Sequence, residues 1–277
     1  MADGWGSVSS ILRREERGDV DRITAGRRVV GFAPVTSHFY RVGTVLVDAG
    51  PPNRVDDVLN VLETEITDVL LTHAHEDHVG LAAALADQGA RVFAPEPTLE
   101  VLADPPSLPG YRRQSWGEAK PVDACPLESE VTTPAGTFET VPTPGHSRHH
   151  LALHHRERGW LFTGDAYLGT RDNLRFDEDL ETELASLRRL REREAGRLLP
   201  GHGSIASDPE AALTDALDWY AERAREAHEL RAAGGSLTSI RREMFGWEGF
   251  MRWFTGGEFS KTNLVRELLR LPSSLTS

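Results

Sequence analysis

The run Thr72-His73-Ala74-His75-Glu76-Asp77-His78 is the densest group of metal-binding side chains in the sequence. Residues 68–72 before it read as a short apolar strand, and the alanine- and leucine-rich residues 79–85 after it read as a helix. Residues two apart at a strand end point to the same side, so His73 and His75 can grip one ion. Asp77 and His78, at the turn that follows, can reach a second. Three further candidates sit in glycine- and proline-flanked turns: His146 in Thr143-Pro144-Gly145-His146-Ser147, Asp165 in Phe162-Thr163-Gly164-Asp165, and His202 in Leu199-Pro200-Gly201-His202-Gly203. Such turns aim one side chain at a point, which a metal site needs.

Positioning these residues requires strands that end at one edge. Between residues 28 and 50, β-branched and aromatic residues cluster in RVVGFA, VTSHFY and TVLVDAG, broken by glycine or proline, and predict consecutive strands. Val55, Val58, Leu59 and Leu62 then recur at helical spacing, and ARVFA returns to strand. Residues 104–118 carry three prolines and two glycines and read as a long loop. A second set of strands follows around VTTP, GTFETV, HLALHH and WLFTGD, with a hairpin at RERG. LETELASLRRLRERE predicts a helix with Leu180, Leu184, Leu187 and Leu190 on one face, and RLLPGHG a last strand and loop. Strands with intervening helices in two successive halves predict two sheets packed face to face with helices outside, an α/β fold.

Beyond Asp208 the pattern is helical only. A long helix opens at Pro209 and ends at Gly234-Gly235, and two shorter ones are introduced by Ser236 and Ser260 as N-caps. The expected division is a catalytic domain over 1–207 and a small all-helical domain over 208–277.

The 277 residues carry 43 acidic and 31 basic side chains, a net charge of −12 that argues against nucleic-acid binding by bulk charge. The tail offers no basic face either, with nine basic against ten acidic residues from Pro209 onward. The single cysteine, Cys125, excludes an intramolecular disulfide and an all-thiolate metal cage, and reads as structural. No apolar run has signal-peptide or membrane-span length, so the expected address is cytoplasmic, with no membrane partner.

In order and spacing, the motifs around His73, His146, Asp165 and His202 resemble the metallo-β-lactamase superfamily over roughly residues 28–205. The resemblance implies a four-layer αβ/βα sandwich with a binuclear metal site at one edge. It also implies that His73, His75 and His146 bind the first ion, that Asp77, His78 and His202 bind the second, and that Asp165 bridges them. Asp48, which ends TVLVDAG, matches a family position that supports the site from behind. Flavodiiron relatives place Glu where this chain has His75, and the stretch from Asp165 to His202 has no room for the large insertion of RNA-processing members. The pattern most resembles glyoxalase II-like hydrolases and small hydrolases with a winged-helix-like C-terminal domain, in which His150 falls on a recurring histidine near the site.

The chemistry implied is hydrolysis by a hydroxide shared between two divalent ions, which lower the pKa of water from about 15.7 toward 7. Zn2+ is the expected metal, with iron or manganese as alternatives. Asp77 can orient the hydroxide proton while serving as a ligand, and His150 and Tyr167 are candidate donors to substrate or leaving group. The expected substrate is a small molecule, a carboxylic ester, thioester or lactone. The rival readings are single-stranded RNA phosphodiester cleavage and persulfide oxidation at a single iron. FGWEGFMRWFTGGEF holds six of the chain's 20 aromatics, and these are expected to pack the tail onto the main body. The alternatives for them are a substrate wall or the seam of a homodimer, and Tyr111 and Trp116 are further candidates for the wall.

Overall fold

The computed structural model describes residues 8–29 and 35–272. Two twisted sheets face each other. In the first, β1 (Val8–Glu16), β2 (Asp21–Val29), β3 (Val35–Val42) and β4 (Val45–Val47) form an antiparallel meander. The sheet continues in parallel through β5 (Asp68–Leu70), β6 (Arg91–Ala94) and β7 (Cys125–Pro126). Between these strands lie α1 (Val55–Leu59), α2 (Glu76–Val79), α3 (Ala82–Asp87), α4 (Leu99–Ala103) and α5 (Gly110–Trp116).

The second sheet is built from β8 (Glu130–Thr133), β9 (Gly136–Pro142), β10 (Leu151–His155) and β11 (Trp160–Gly164), closed by β13 (Arg197–Pro200) in the order β13-β11-β10-β9-β8. A two-residue strand, β12 (Leu174–Arg175), and helix α6 (Leu180–Arg191) precede β13. The tail comprises α7 (Pro209–Ala232), α8 (Leu237–Phe245), α9 (Phe250–Phe254), β14 (Phe259–Ser260) and α10 (Lys261–Leu268).

The period of two along each strand separates three apolar layers. Tyr40, Val45, Val47 and Leu70 face Phe138, Leu153, Phe162 and Leu199 between the sheets. Their neighbours Phe39, Leu46 and Val69 turn outward to α1, α3 and α4. On the far side, Ala152, Leu161 and Leu198 meet Leu184, Leu187 and Leu190 of α6. The result is the αβ/βα four-layer sandwich. Tail helices α7, α8 and α10 join that same outer cluster through Leu213, Tyr220, Ile240 and Leu264, so α6 and the tail share one apolar layer. Asp208, Ser236 and Ser260 cap α7, α8 and α10 by accepting from backbone N–H groups.

Three features depart from the sequence reading. The first sheet begins 20 residues earlier than residue 28, because the charged run LRREERGD hides the hairpin of β1 and β2. Positions 30–33 of the run RVVGFA lie outside the described residues. The stretch read as a loop over 104–118 contains α5, which starts directly after Pro109 and stops at Gly117 with φ 92°. Proline is tolerated at a helix start, where its missing N–H would be unpaired anyway. The tail is not purely helical, since β14 pairs with β12 through Leu174–Ser260 and Arg175–Phe259. Among the described residues, no helix is long and apolar enough to cross a membrane. Cys125 is exposed on β7.

Candidate metal centre

The candidate ligands gather at one edge of the sandwich, four of them in the segments that follow its strands and Asp77 and His78 on α2, with His75 directly before it. His73 follows β5, Asp165 follows β11, His202 follows β13, and His146 sits in the connection from β9 to β10. Asp48, one residue past β4, takes φ 60°, the only positive φ outside glycine among the described residues. Its carboxylate explains that strained conformation. It accepts from the backbone N–H of Thr72 at 2.8 Å and from His78 Nδ1 at 2.8 Å, continuing the β4 to β5 ladder with a side chain.

These hydrogen bonds fix the tautomers. The Thr72 hydroxyl donates to Asp48, so His73 Nδ1, 3.0 Å from that oxygen, must donate to it. His146 Nδ1 donates to Glu178 at 2.6 Å, and His202 Nδ1 donates to the carbonyl of Thr36 at 2.8 Å. In their neutral forms His73, His78, His146 and His202 therefore present Nε2 lone pairs inward. His75 presents Nδ1, which lies 3.0 Å from His73 Nε2 and 2.9 Å from His146 Nε2. Its own Nε2 faces Arg175 Nη2 at 3.2 Å; an ion at Nδ1 would put the proton on Nε2 and end that contact.

The ligand atoms gather into two groups, each with all its atoms within 4.8 Å of one another: His73, His75, His146 and Asp165, and Asp77, His78 and His202. Asp165 stands between them, with Oδ2 3.2 Å from His146 Nε2 and Oδ1 3.2 Å from His78 Nε2. His202 Nε2 lies 3.1 Å from Asp77 Oδ2 and 3.5 Å from Asp165 Oδ2. His78 Nε2 and Asp165 Oδ1 are buried and face each other at 3.2 Å without a well-aligned hydrogen bond to any group. Buried polar atoms rarely stay unpaired, and three imidazole lone pairs about 3 Å apart repel unless a cation lies among them. The donor set, nitrogen and carboxylate oxygen with no sulfur, thus fits divalent metal ions.

The electrostatics separate the two groups. Burial, then neighbouring imidazoles, push His73 and His75 well below the usual histidine pKa. Burial also works against charge on His202, but Asp165 and Asp77 outweigh it and raise that ring to about 10. His78 is raised for the same reason, by Asp165, Asp48 and Asp77. Asp165 is held ionised because His202, His78 and His146 overcome its desolvation.

Two other sequence candidates lie elsewhere than at the ligand tips. His150 is buried, and both its nitrogens are engaged: Nδ1 with the Thr143 hydroxyl at 2.8 Å and Nε2 with the backbone N–H of Asp165 at 3.1 Å. Tyr167 is half-buried against the apolar layer shared by α6 and the tail. The centre opens into a cavity of about 950 Å3, where the lining phenol is Tyr111, with Trp116 beside it. The tail aromatics divide: Phe250, Phe254 and Phe259 line the cavity, Phe245 packs on the core, and Trp247 and Trp253 are exposed. No tail residue belongs to either ligand group among the described residues.

Sequence reasoning passed over Glu178 and the Arg112 that grips buried Glu76 through two bonds at 2.6 and 2.7 Å. Glu178 sits in the acidic run DEDLETE, which reads only as a helix start, and its orientation depends on a buried partner, Arg171, seven residues earlier.

The family model described as metallo-beta-lactamase superfamily matches residues 32–202. The chain belongs to the metallo-beta-lactamase superfamily. By family it is a metallo-hydrolase. The beta-lactamase-like protein 2 homolog of Caenorhabditis elegans is 26% identical over 246 residues, covering 84% of this chain and 78% of that protein. The thioesterase pkgB of Emericella nidulans is 29% identical over 236 residues, covering 77% of this chain and 63% of that protein. Among solved structures, a metallo-beta-lactamase family protein from Thermus thermophilus superposes with a TM-score of 0.63 at 20% identity, covering 95% of this chain and 93% of that one. That superposition takes in most of the tail as well as the sandwich.

Proposed function

We propose that this superfamily member is a binuclear metallo-hydrolase of thioesters, with carboxylic esters and lactones as chemically equivalent substrates. The observation that carries the reading is the pair of ligand groups meeting at Asp165 on the floor of the 950 Å3 cavity. In it, His73, His75 and His146 would hold one ion and Asp77, His78 and His202 the other, with Asp165 within reach of both. The nitrogen and oxygen donors suit Zn2+, with iron or manganese as alternatives. Two such ions supply Lewis acidity at the acyl carbonyl and a water acidic enough to attack it near neutral pH.

The protein's own groups do the rest. Asp48 fixes the tautomer of His78 directly, and that of His73 through Thr72, while Glu178 does so for His146. His150 holds the backbone of Asp165, and its buried, doubly bonded ring supports a positioning role rather than proton donation. Asp77, which shares the cavity wall with His75, is placed to accept a proton from attacking water. The thioesterase relative supports the choice of acyl group transfer to water. The test is a panel of thioester, ester, lactone, phosphodiester and persulfide substrates on metal-loaded protein. Acyl substrates should be hydrolysed best; faster RNA phosphodiester cleavage or sulfur oxidation would overturn the assignment.

A further inference from the structure

Six cations line the cavity in a chain whose net charge is −12: Arg27, Arg112, Arg171, Arg175, Arg252 and Lys261. Four are committed to carboxylates. Arg112 pairs with Glu76, Arg171 with Glu178 and Glu183, Arg175 with Asp177, and Lys261 with Asp172 at 2.9 Å. The other acidic group of the tail wall, Glu248, is spent on the backbone N–H groups that open α10.

Arg27 and Arg252 have no carboxylate partner among the described residues. Arg27, on β2, is half-buried and gives one hydrogen bond, to the carbonyl of Gln114 at 3.2 Å. Its burial and the nearby Arg54 both disfavour its charge, a cost that a bound anion would relieve. Arg252, on α9, is exposed at the cavity wall, and its guanidinium makes no hydrogen bond or ion pair among the described residues. Between the loop segment and the tail runs an aromatic surface. Phe250 and Phe254 stack with centroids 5.2 Å apart, and Tyr111 meets Phe254 edge-on at 5.8 Å.

We propose that the substrate is an acyl thioester bearing a separate anionic group, received by Arg27 and Arg252, with its apolar part along Tyr111, Phe254 and Phe250. The proposal rests on the thioester reading of the same site. Guanidinium forks match carboxylate and phosphate oxygens in pairs, and aromatic faces accept an apolar chain. The overall negative charge does not oppose this inside the cavity, because charges more than about 8 Å away are screened at physiological salt. The anion can belong to the acyl side, as a carboxylate, or to the thiol side, as phosphate. Both are the same chemistry to an arginine.

Three probes separate the sources: hexanoyl-N-acetylcysteamine, which is neutral, adipoyl-N-acetylcysteamine, with an acyl carboxylate, and hexanoyl-coenzyme A, with thiol-side phosphates. At least one charged ester should exceed the neutral one tenfold or more in kcat/KM. In R27Q/R252Q that ratio should fall at least tenfold. Equal kcat/KM for all three, or an unchanged ratio in the double variant, overturns the proposal while leaving the thioester reading standing. If none of the three is hydrolysed, the thioester reading fails and calorimetry decides the receptor alone. Metal-free protein should then bind coenzyme A or adipate, and R27Q/R252Q should bind neither; absent or unchanged binding refutes it. Arg252 is exposed, so R252Q by itself keeps both readouts available should the double variant not fold.

Discussion

The backbone N–H of Asp165 donates to His150 Nε2 at 3.1 Å, so a histidine outside both ligand groups anchors the carboxylate that lies between them. Because that bond takes the lone pair of Nε2, the ring keeps its proton on Nδ1, bound to Thr143. His150→Ala should therefore loosen Asp165 and lower metal occupancy after dialysis against a fixed chelator. Its pH–rate profile should keep the same limbs. Full occupancy with one limb missing would mean that His150 hands a proton to substrate instead.

Glu178 is the counterpart on the other side of the centre. It lies fully buried, and although burial opposes its charge, Arg171 and His146 outweigh that and lower its pKa to about 2. An anionic acceptor raises the basicity of the imidazole behind it, and such partners are worth roughly 10–100-fold in metal affinity. Glu178→Gln keeps the shape but not the charge, so chelator competition should register a loss in that range. Affinity equal to the parent would show that the contact only packs.

Gly164 sits where a side chain has no room. With φ 47°, a Cβ there would come 2.5 Å from Thr72 Oγ1 and 2.6 Å from His150 Nε2, both held by buried hydrogen bonds. Gly164→Ala should cost about 1–3 kcal/mol from backbone strain, plus the displacement of those groups. Gly169, at φ 68° with open space around its Cβ position, is the matched control. Thermal melts should rank Gly164→Ala clearly below Gly169→Ala; equal melting temperatures would contradict the crowding.

Acid should destabilise the metal-free protein through its buried neutral rings. Burial is the largest cause lowering His150 to about 3 and His38 to about 4. A base whose pKa is depressed in the fold contributes stability that is present above its unfolded value, near 6.5, and is lost as pH falls toward the folded value. For His150 that amounts to about 2 kcal/mol between pH 7 and 5. Urea unfolding of metal-free protein should show stability falling with pH, and His150→Asn should reduce that fall by about 2 kcal/mol. A stability independent of pH over that interval would exclude it.

The ligand cluster was legible because chemistry demands particular side chains at particular spacings, and His73, His75, Asp77 and His78 fall within six residues. The strand and helix periods around it were legible for the same reason: Phe39 and Tyr40 face opposite layers because they are adjacent on a strand. What stayed hidden depends on partners distant in sequence. Glu178 reads as a helix-start acid until Arg171 is folded against it. α5 hides behind Pro109, and Phe259 reaches the cavity wall from β14, whose pairing with β12 joins two strands too short to leave a periodic signal.

Two ions sharing Asp165 would bind as two equivalents, so the number of ions is the most direct measure of the centre. Calorimetric titration of metal-free protein with Zn2+ at neutral pH should reach two equivalents per chain. Saturation at one equivalent, in protein that is otherwise folded, would contradict the binuclear centre and the assignment of Asp77, His78 and His202 to a second ion.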